Sequence, residues 1–217
     1  MQNEGSVSDY KMIYILPGMG ATSNMYSGPW RKIPNAKFIN WPRYNGEKTI
    51  SEVAESVIRR YGIMRSDSVA GSSLGGIVSL EIADKLGIRN VYLFGSAVSK
   101  NEINPLLRFL SPLSEITPIK VIQALAGKFR NEFLTMFHSS ETEFIRAMCH
   151  AVSNWQGYKG DQSIIKRIHG ENDKVISCFG ACKKIKDGGH LIAMTHAADC
   201  IEIINQNSHK VFASSNF

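Results

Sequence analysis

Ser73 lies at the centre of Gly71-Ser72-Ser73-Leu74-Gly75, where an apolar run gives way to a helical pattern. A serine hydroxyl is a weak nucleophile at neutral pH. It needs a base within about 2.6–3.2 Å and a third group that fixes the tautomer of that base. Glycines on either side of Ser73 let neighbouring backbone pass close to a serine held in a strained strand-to-helix turn. Ser72 does not fit the same frame, because Leu74 stands where its second glycine would be. Taken alone, the five residues are equally compatible with a tight glycine turn, but two later segments supply the missing groups. His169-Gly170-Glu171-Asn172-Asp173 follows the apolar stretch 164–168, and Gly188-Gly189-His190 follows the short run 182–185. Asp173 offers the carboxylate, with Glu171 as its near rival and a turn-forming aspartate as the plainer reading. His190 offers the imidazole. His196, six residues on, is expected in a C-terminal helix and ranks behind it as a base.

These groups have to be carried by elements that bring them to one edge. Short apolar, β-branched or aromatic runs recur at 12–16, 37–41, 68–70, 91–94, 164–168 and 182–185, with segments of helical period between most of them. Thr49 and Glu52 can form a capping box, which places Ile50, Val53, Ala54, Val57, Ile58 and Tyr61 on one stripe. After the serine, Leu74, Val78, Ile82 and Leu86 form a second stripe, and Gly87 is its stop signal. Strands alternating with helices predict an α/β fold, a mostly parallel sheet of about six strands with helices on both faces. Residues 101–160 break the alternation. Helical patterns follow one another there at 119–129, at 131–137 and in a helix capped by Ser140 and Glu143 that carries Phe144, Ile145, Met148 and Val152.

Rival chemistries fit poorly. Gly18-x-Gly20-x-x-Ser23 after a strand looks like part of a dinucleotide fingerprint. Its third position is serine, however, and the second strand ends in Asn40-Trp41-Pro42 without an acidic residue for a ribose. A phosphate-binding loop would need a Lys-Ser/Thr ending, which is missing. His138, Cys149, His150, His196 and His209 show no paired metal-ligand spacing. No cofactor and no metal are expected.

In the order serine, acid, histidine, with each group after an apolar run, the chain resembles the α/β-hydrolase superfamily. It is most similar to small bacterial esterase-like members with a short helical cap. The resemblance also rests on Leu16-Pro17-Gly18-Met19-Gly20 after the first strand, and it spans nearly the whole sequence. It implies a catalytic triad of Ser73, Asp173 and His190, an oxyanion hole formed by the amides of Met19 and Leu74, and a cap at 101–160 inserted in a single domain, 1–217. Two departures stand out. Fewer than a dozen residues precede the first strand run, so the antiparallel hairpin that opens many members is expected to be missing, and Lys-Val-Ile-Ser after Asp173 lacks the proline many members carry. The implied activity is cleavage of a carboxylic ester, or of a thioester or amide, through an acyl-serine. Leu106, Leu107, Phe109, Leu110, Phe133 and Phe137 in the insertion suggest an apolar acyl or alkyl group. Carbon–carbon hydrolysis, acyl transfer, cofactor-free peroxidase chemistry and ligand reception without catalysis stay open, since the same scaffold supports them.

Composition sets the outer bounds. A chain of 217 residues with 43% hydrophobic content can bury one substantial core. No leader-like start and no stretch of about 18 apolar residues is present, so a cytoplasmic protein without a membrane span is expected. Cys149, Cys178, Cys182 and Cys200 include no Cys-x-x-Cys pair, which predicts four free thiols. The formal charge of +6 comes from scattered basic residues such as Arg59-Arg60 and Lys183-Lys184. A nucleic-acid site would need a basic stripe interleaved with exposed aromatics, so no nucleic-acid partner is expected, and the partner that the resemblance implies is a small ester-like molecule.

Overall fold

The computed structural model describes residues 11–104 and 142–213, the last seven as helix backbone only. The expected helices at 119–129 and 131–137, the Ser140 cap and the six apolar residues named in the insertion lie outside the described residues, as does the stretch before residue 11.

The short apolar runs form six parallel strands: β1 (Ile13–Leu16), β2 (Ala36–Phe38), β3 (Ser68–Ser72), β4 (Val91–Phe94), β5 (Ile165–Gly170) and β6 (Lys183–Ile185). Their order in the sheet is β2-β1-β3-β4-β5-β6. Alternate side chains leave opposite faces of a strand, and the core divides accordingly. Tyr14, Leu16, Val69, Val91 and Leu93 join one apolar cluster, while Ile15, Ala70, Tyr92, Phe94 and Ile168 join the other. Helices α1 (Ile50–Tyr61), α2 (Leu74–Leu86) and α3 (Thr142–Asn154) carry residues of the first cluster. The second is closed by α4 (Ile192–Thr195), α5 (Ala197–Ala213) and a 3-10 turn at Gly28–Lys32, whose Trp30 lies edge-on to Tyr26 and Phe94.

Local sequence accounts for the helix ends. Thr49 Oγ1 accepts from the Glu52 amide at 3.1 Å and Glu52 Oε2 accepts from the Thr49 amide at 3.1 Å, so the capping box forms as expected. Ile50, Val53, Ala54 and Val57 are buried, each large aliphatic side chain contributing about 2 kcal/mol of apolar transfer free energy. Helix α2 differs from its expected single stripe. All of Leu74 to Leu80 is buried, together with Ile82 and Ala83, because the helix lies between the sheet and α1 and has little open face. The run at 37–41 ends early as a strand, since β2 stops at Phe38 and leaves Asn40 and Trp41 in the loop beyond it.

The cysteines require a correction. Cys178 and Cys182, expected as free thiols, are joined in a disulfide with Cα atoms 6.9 Å apart, whereas Cys149 and Cys200 are free. A separation of four residues around one turn brings the two side chains together, although it fits no familiar spacing pattern. Among the described residues no helix is long and apolar enough to cross a membrane.

Candidate active site

Parallel pairing puts the carboxyl ends of all six strands on one rim. The order β2-β1-β3 means that the chain leaves β1 to one side and returns on the other, so β1 and β3 flank the switch point where such sheets form a crevice. The Pro17–Gly20 loop leaves β1 there, and Ser73 leaves β3.

Ser73 has φ 52° and ψ −119°, a positive φ that an L-residue adopts only under strain. The turn is enforced by close backbone packing. A Cβ on Gly71 would lie 2.2 Å from the carbonyl carbon of Gly75, and one on Gly75 would lie 2.4 Å from the carbonyl oxygen of Pro17. The Ser73 amide donates to the Phe94 carbonyl at 3.2 Å and its own carbonyl accepts from Ser96 Oγ at 2.7 Å, so both ends of the residue are pinned to β4 and the loop after it. Leu74 opens α2 immediately after the turn, leaving its amide in the first helical turn, where N–H groups have no intrahelical partner.

Ser73 Oγ lies 2.9 Å from His190 Nε2, and His190 Nδ1 lies 2.9 Å from Asp173 Oδ2. A carboxylate only accepts, so Nδ1 carries the proton, and Nε2 is left with a lone pair that accepts from the serine hydroxyl. The two oxygens of Asp173 divide between local and distant partners. Oδ1 accepts from the amides of Val175 and Ile176 at 2.9 and 3.0 Å, which makes the aspartate a turn former as well, while Oδ2 faces the histidine. Burial alone would push this carboxyl up. The positive charge available to His190, hydrogen bonds from His169 and His190 and the Ile176 amide outweigh that and hold it well below the usual carboxylate range.

His169 opens the segment that ends in Asp173, and nothing in the sequence alone assigned it a role. Its Nε2 lies 2.7 Å from the Ile176 carbonyl and 3.0 Å from Asp173 Oδ2. Both are acceptors, so this nitrogen donates and His169 is a second histidine on the acid. Its Nδ1 is buried without a hydrogen-bond partner. Spacing of four between His169 and Asp173 was the available signal. Glu171 is exposed, and His196 pairs with Thr195 Oγ1 at 2.8 Å away from this cluster.

Below the rim, Arg167 and Glu102 form a buried two-pronged ion pair at 3.0 and 2.8 Å. Glu102 also accepts from the amides of Val98 and Phe179, and Arg167 donates to the Ser96 carbonyl. The pair thus ties the loop after β4, which supports Ser73, to the loop that carries Asp173. Adjacent backbone continues the seam, with Asn104 N donating to Val175 O and Ser177 N to Glu102 O.

Met19 is half-buried in the Pro17–Gly20 loop, and its sulfur lies 3.7 Å from Cys149 Sγ on α3. The loop runs beside Ser73, since a Cβ on Gly18 would sit 3.9 Å from Ser73 Cβ. Among the described residues no group of three His, Cys, Asp or Glu side chains could hold a metal ion.

No protein-family model matches the chain, and no curated protein matches it in sequence. Solved structures do. An esterase from Thermogutta terrifontis is 13% identical with a TM-score of 0.67, covering 93% of this chain and 90% of its own. The N-acyl homoserine lactonase AidH is 14% identical with a TM-score of 0.68, covering 90% and 88%. The thioesterase RedJ of prodiginine biosynthesis in Streptomyces coelicolor is 13% identical with a TM-score of 0.65, covering 91% and 84%. With its parallel six-stranded sheet and this likeness over nearly the full length of each, the chain has the α/β-hydrolase fold.

Proposed function

We propose that the protein is a serine hydrolase that cleaves a carboxylic ester, or a related thioester or amide, of a small and partly apolar substrate through an acyl-serine intermediate. The observation that carries this reading is the unbroken chain Ser73 Oγ–His190 Nε2–His190 Nδ1–Asp173 Oδ2, with both heavy-atom distances at 2.9 Å, on a turn of positive φ. Neighbours described as an esterase, a lactonase and a thioesterase support an acyl bond as the target. Met19 packs against the apolar cluster that holds Phe144 and Met148 of α3, which supports an apolar acyl portion.

In this mechanism Ser73 Oγ attacks the carbonyl carbon while its proton passes to His190 Nε2. The carbonyl oxygen becomes an oxyanion between the amides of Met19 and Leu74, each such donor contributing on the order of 3–4 kcal/mol. Asp173 stabilises the imidazolium and remains ionised. The intermediate collapses, the carbon–oxygen bond to the leaving alcohol breaks, and His190 returns its proton to that oxygen. Water then gives a proton to His190 and attacks the acyl-Ser73; the bond from the acyl carbon to Ser73 Oγ breaks, His190 returns that proton to Oγ, and the acid is released.

The test is labelling with a fluorophosphonate, followed by turnover of p-nitrophenyl esters of rising chain length. Ser73→Ala is expected to abolish labelling and to lower kcat by at least about 10³-fold with an unchanged melting temperature. Retained turnover would place the nucleophile elsewhere, and absence of wild-type labelling would favour a binding protein over an enzyme.

A further inference from the structure

Trp41 holds the carbonyl of the Gly18–Met19 peptide. A trans peptide points its carbonyl and its N–H in opposite directions, so whatever holds the Gly18 carbonyl also sets the direction of the Met19 N–H. Two donors reach that carbonyl. The Ala21 amide does so at 3.1 Å, but it belongs to the same loop and moves with it. Trp41 Nε1 donates at 3.0 Å from the loop after β2, 23 residues away, and is the tie from outside. Trp41 is itself fixed. Its neighbour Asn40 is held by the Tyr61 hydroxyl of α1, which donates to the Asn40 carbonyl at 2.6 Å and accepts from its amide at 3.2 Å. The indole packs on Phe144 of α3 with ring centroids 5.4 Å apart.

We propose that Trp41 is a positioning residue for the oxyanion hole, using its indole N–H to lock the Gly18–Met19 peptide so that the Met19 amide faces the reacting carbonyl. The proposal rests on the hydrolase reading and deepens it. Donors act in catalysis only when they are oriented before charge develops, because reorientation during the reaction consumes the energy they would supply. A peptide held solely from within its own loop would rock about that loop. The Trp41 tie prevents this without touching the substrate, so its effect falls on the transition state and leaves ground-state binding nearly unchanged.

Two variants test it. Trp41→Phe keeps a ring against Phe144 and removes the N–H. Replacing the indole by its benzothiophene isostere, introduced as a non-natural amino acid, removes the N–H with the shape retained. With p-nitrophenyl butyrate, both are expected to lower kcat about tenfold, a fraction of the roughly 10²–10³-fold lost when an oxyanion donor is deleted outright. KM should stay within about twofold. Inhibition by n-butylboronic acid, which forms a tetrahedral adduct on the serine, should weaken by the same factor as kcat. The melting temperature of the isostere should match the wild type. Unchanged kcat and boronate affinity in the isostere overturn the proposal. So does a loss seen as raised KM alone, or one that follows only a lowered melting temperature, since these assign Trp41 to substrate contact or packing. Failure of the wild type to label at Ser73 instead sinks the hydrolase reading, and this inference with it.

Discussion

Gly71 and Gly75, on either side of Ser73, are determined by lack of space, whereas Asp173 is held by a surplus of donors. A Cβ at either glycine would overlap backbone of the elbow or of the chain leaving β1, and backbone in the middle of a sheet cannot retreat. The carboxylate of Asp173 instead receives four N–H groups, two from its own turn and one from each of two histidines. Ser73 is thus set by steric exclusion, which is all-or-none, and Asp173 by hydrogen bonds, which can be removed singly. Damage to the elbow should therefore appear in stability, and damage around the acid should appear chiefly in rate.

The sharpest test lies at the acid. Asp173→Asn retains an oxygen for the Val175 and Ile176 amides, so the turn survives, but it presents an NH₂ to His190 Nδ1 and favours the wrong tautomer. A fall in kcat of about 10³–10⁴-fold with a nearly native circular dichroism spectrum is expected. This variant also has a pH signature. The folded pKa of Asp173 lies below its unfolded value, so its contribution to stability is complete above the ordinary carboxylate range and is lost as pH falls toward the folded value. The stability difference between wild type and variant in urea should be level down to about pH 5 and should narrow below about pH 4. A difference that widens in acid would break the account of the carboxylate.

Gly75→Ala addresses the other side of the comparison. Its methyl group would meet the Pro17 and Leu16 carbonyls, and a cost of roughly 3 kcal/mol is expected in chemical denaturation. A variant of native stability would show that the elbow has room to yield. The smallest effect is expected at His169. Phe in its place removes one donor from Asp173 and leaves the Ile176 carbonyl unpaired, but it also removes the orphaned Nδ1, so the losses partly offset. A kcat reduction of about tenfold, partly restored in His169→Gln, is expected from the usual worth of a hydrogen bond to a charged group. No change in rate would reduce His169 to core packing.

Much of this arrangement could be read from the chain because it is local. The capping box at Thr49 and Glu52, the stop at Gly87 and the run at 91–94 depend on neighbours within a few residues, and each appears where expected. Candidates for the site were also readable, since a serine between glycines or a histidine after paired glycines marks a strand exit. Arg167 was not readable as a buried residue. It lies in an apolar run beside Lys166, and the carboxylate of Glu102, 65 positions away, together with the Ser96 carbonyl makes its burial tolerable. Trp41 was assigned to the end of a strand, although it bonds to Gly18 from the loop where that strand stops short. The disulfide between Cys178 and Cys182 likewise follows from the path of a turn that spacing alone does not dictate.

By itself the amino-acid order determined the alternation of strands and helices and the order of the chemically able side chains, because both are recorded in short-range periodicity and turn chemistry. Tertiary structure decided which of those groups meet and how each is aimed. Ser73 and His190 are separated by 117 positions, and Trp41 and Gly18 by 23. Such distances close only when the sheet order places particular strand ends side by side, a choice made by the packing of the whole core.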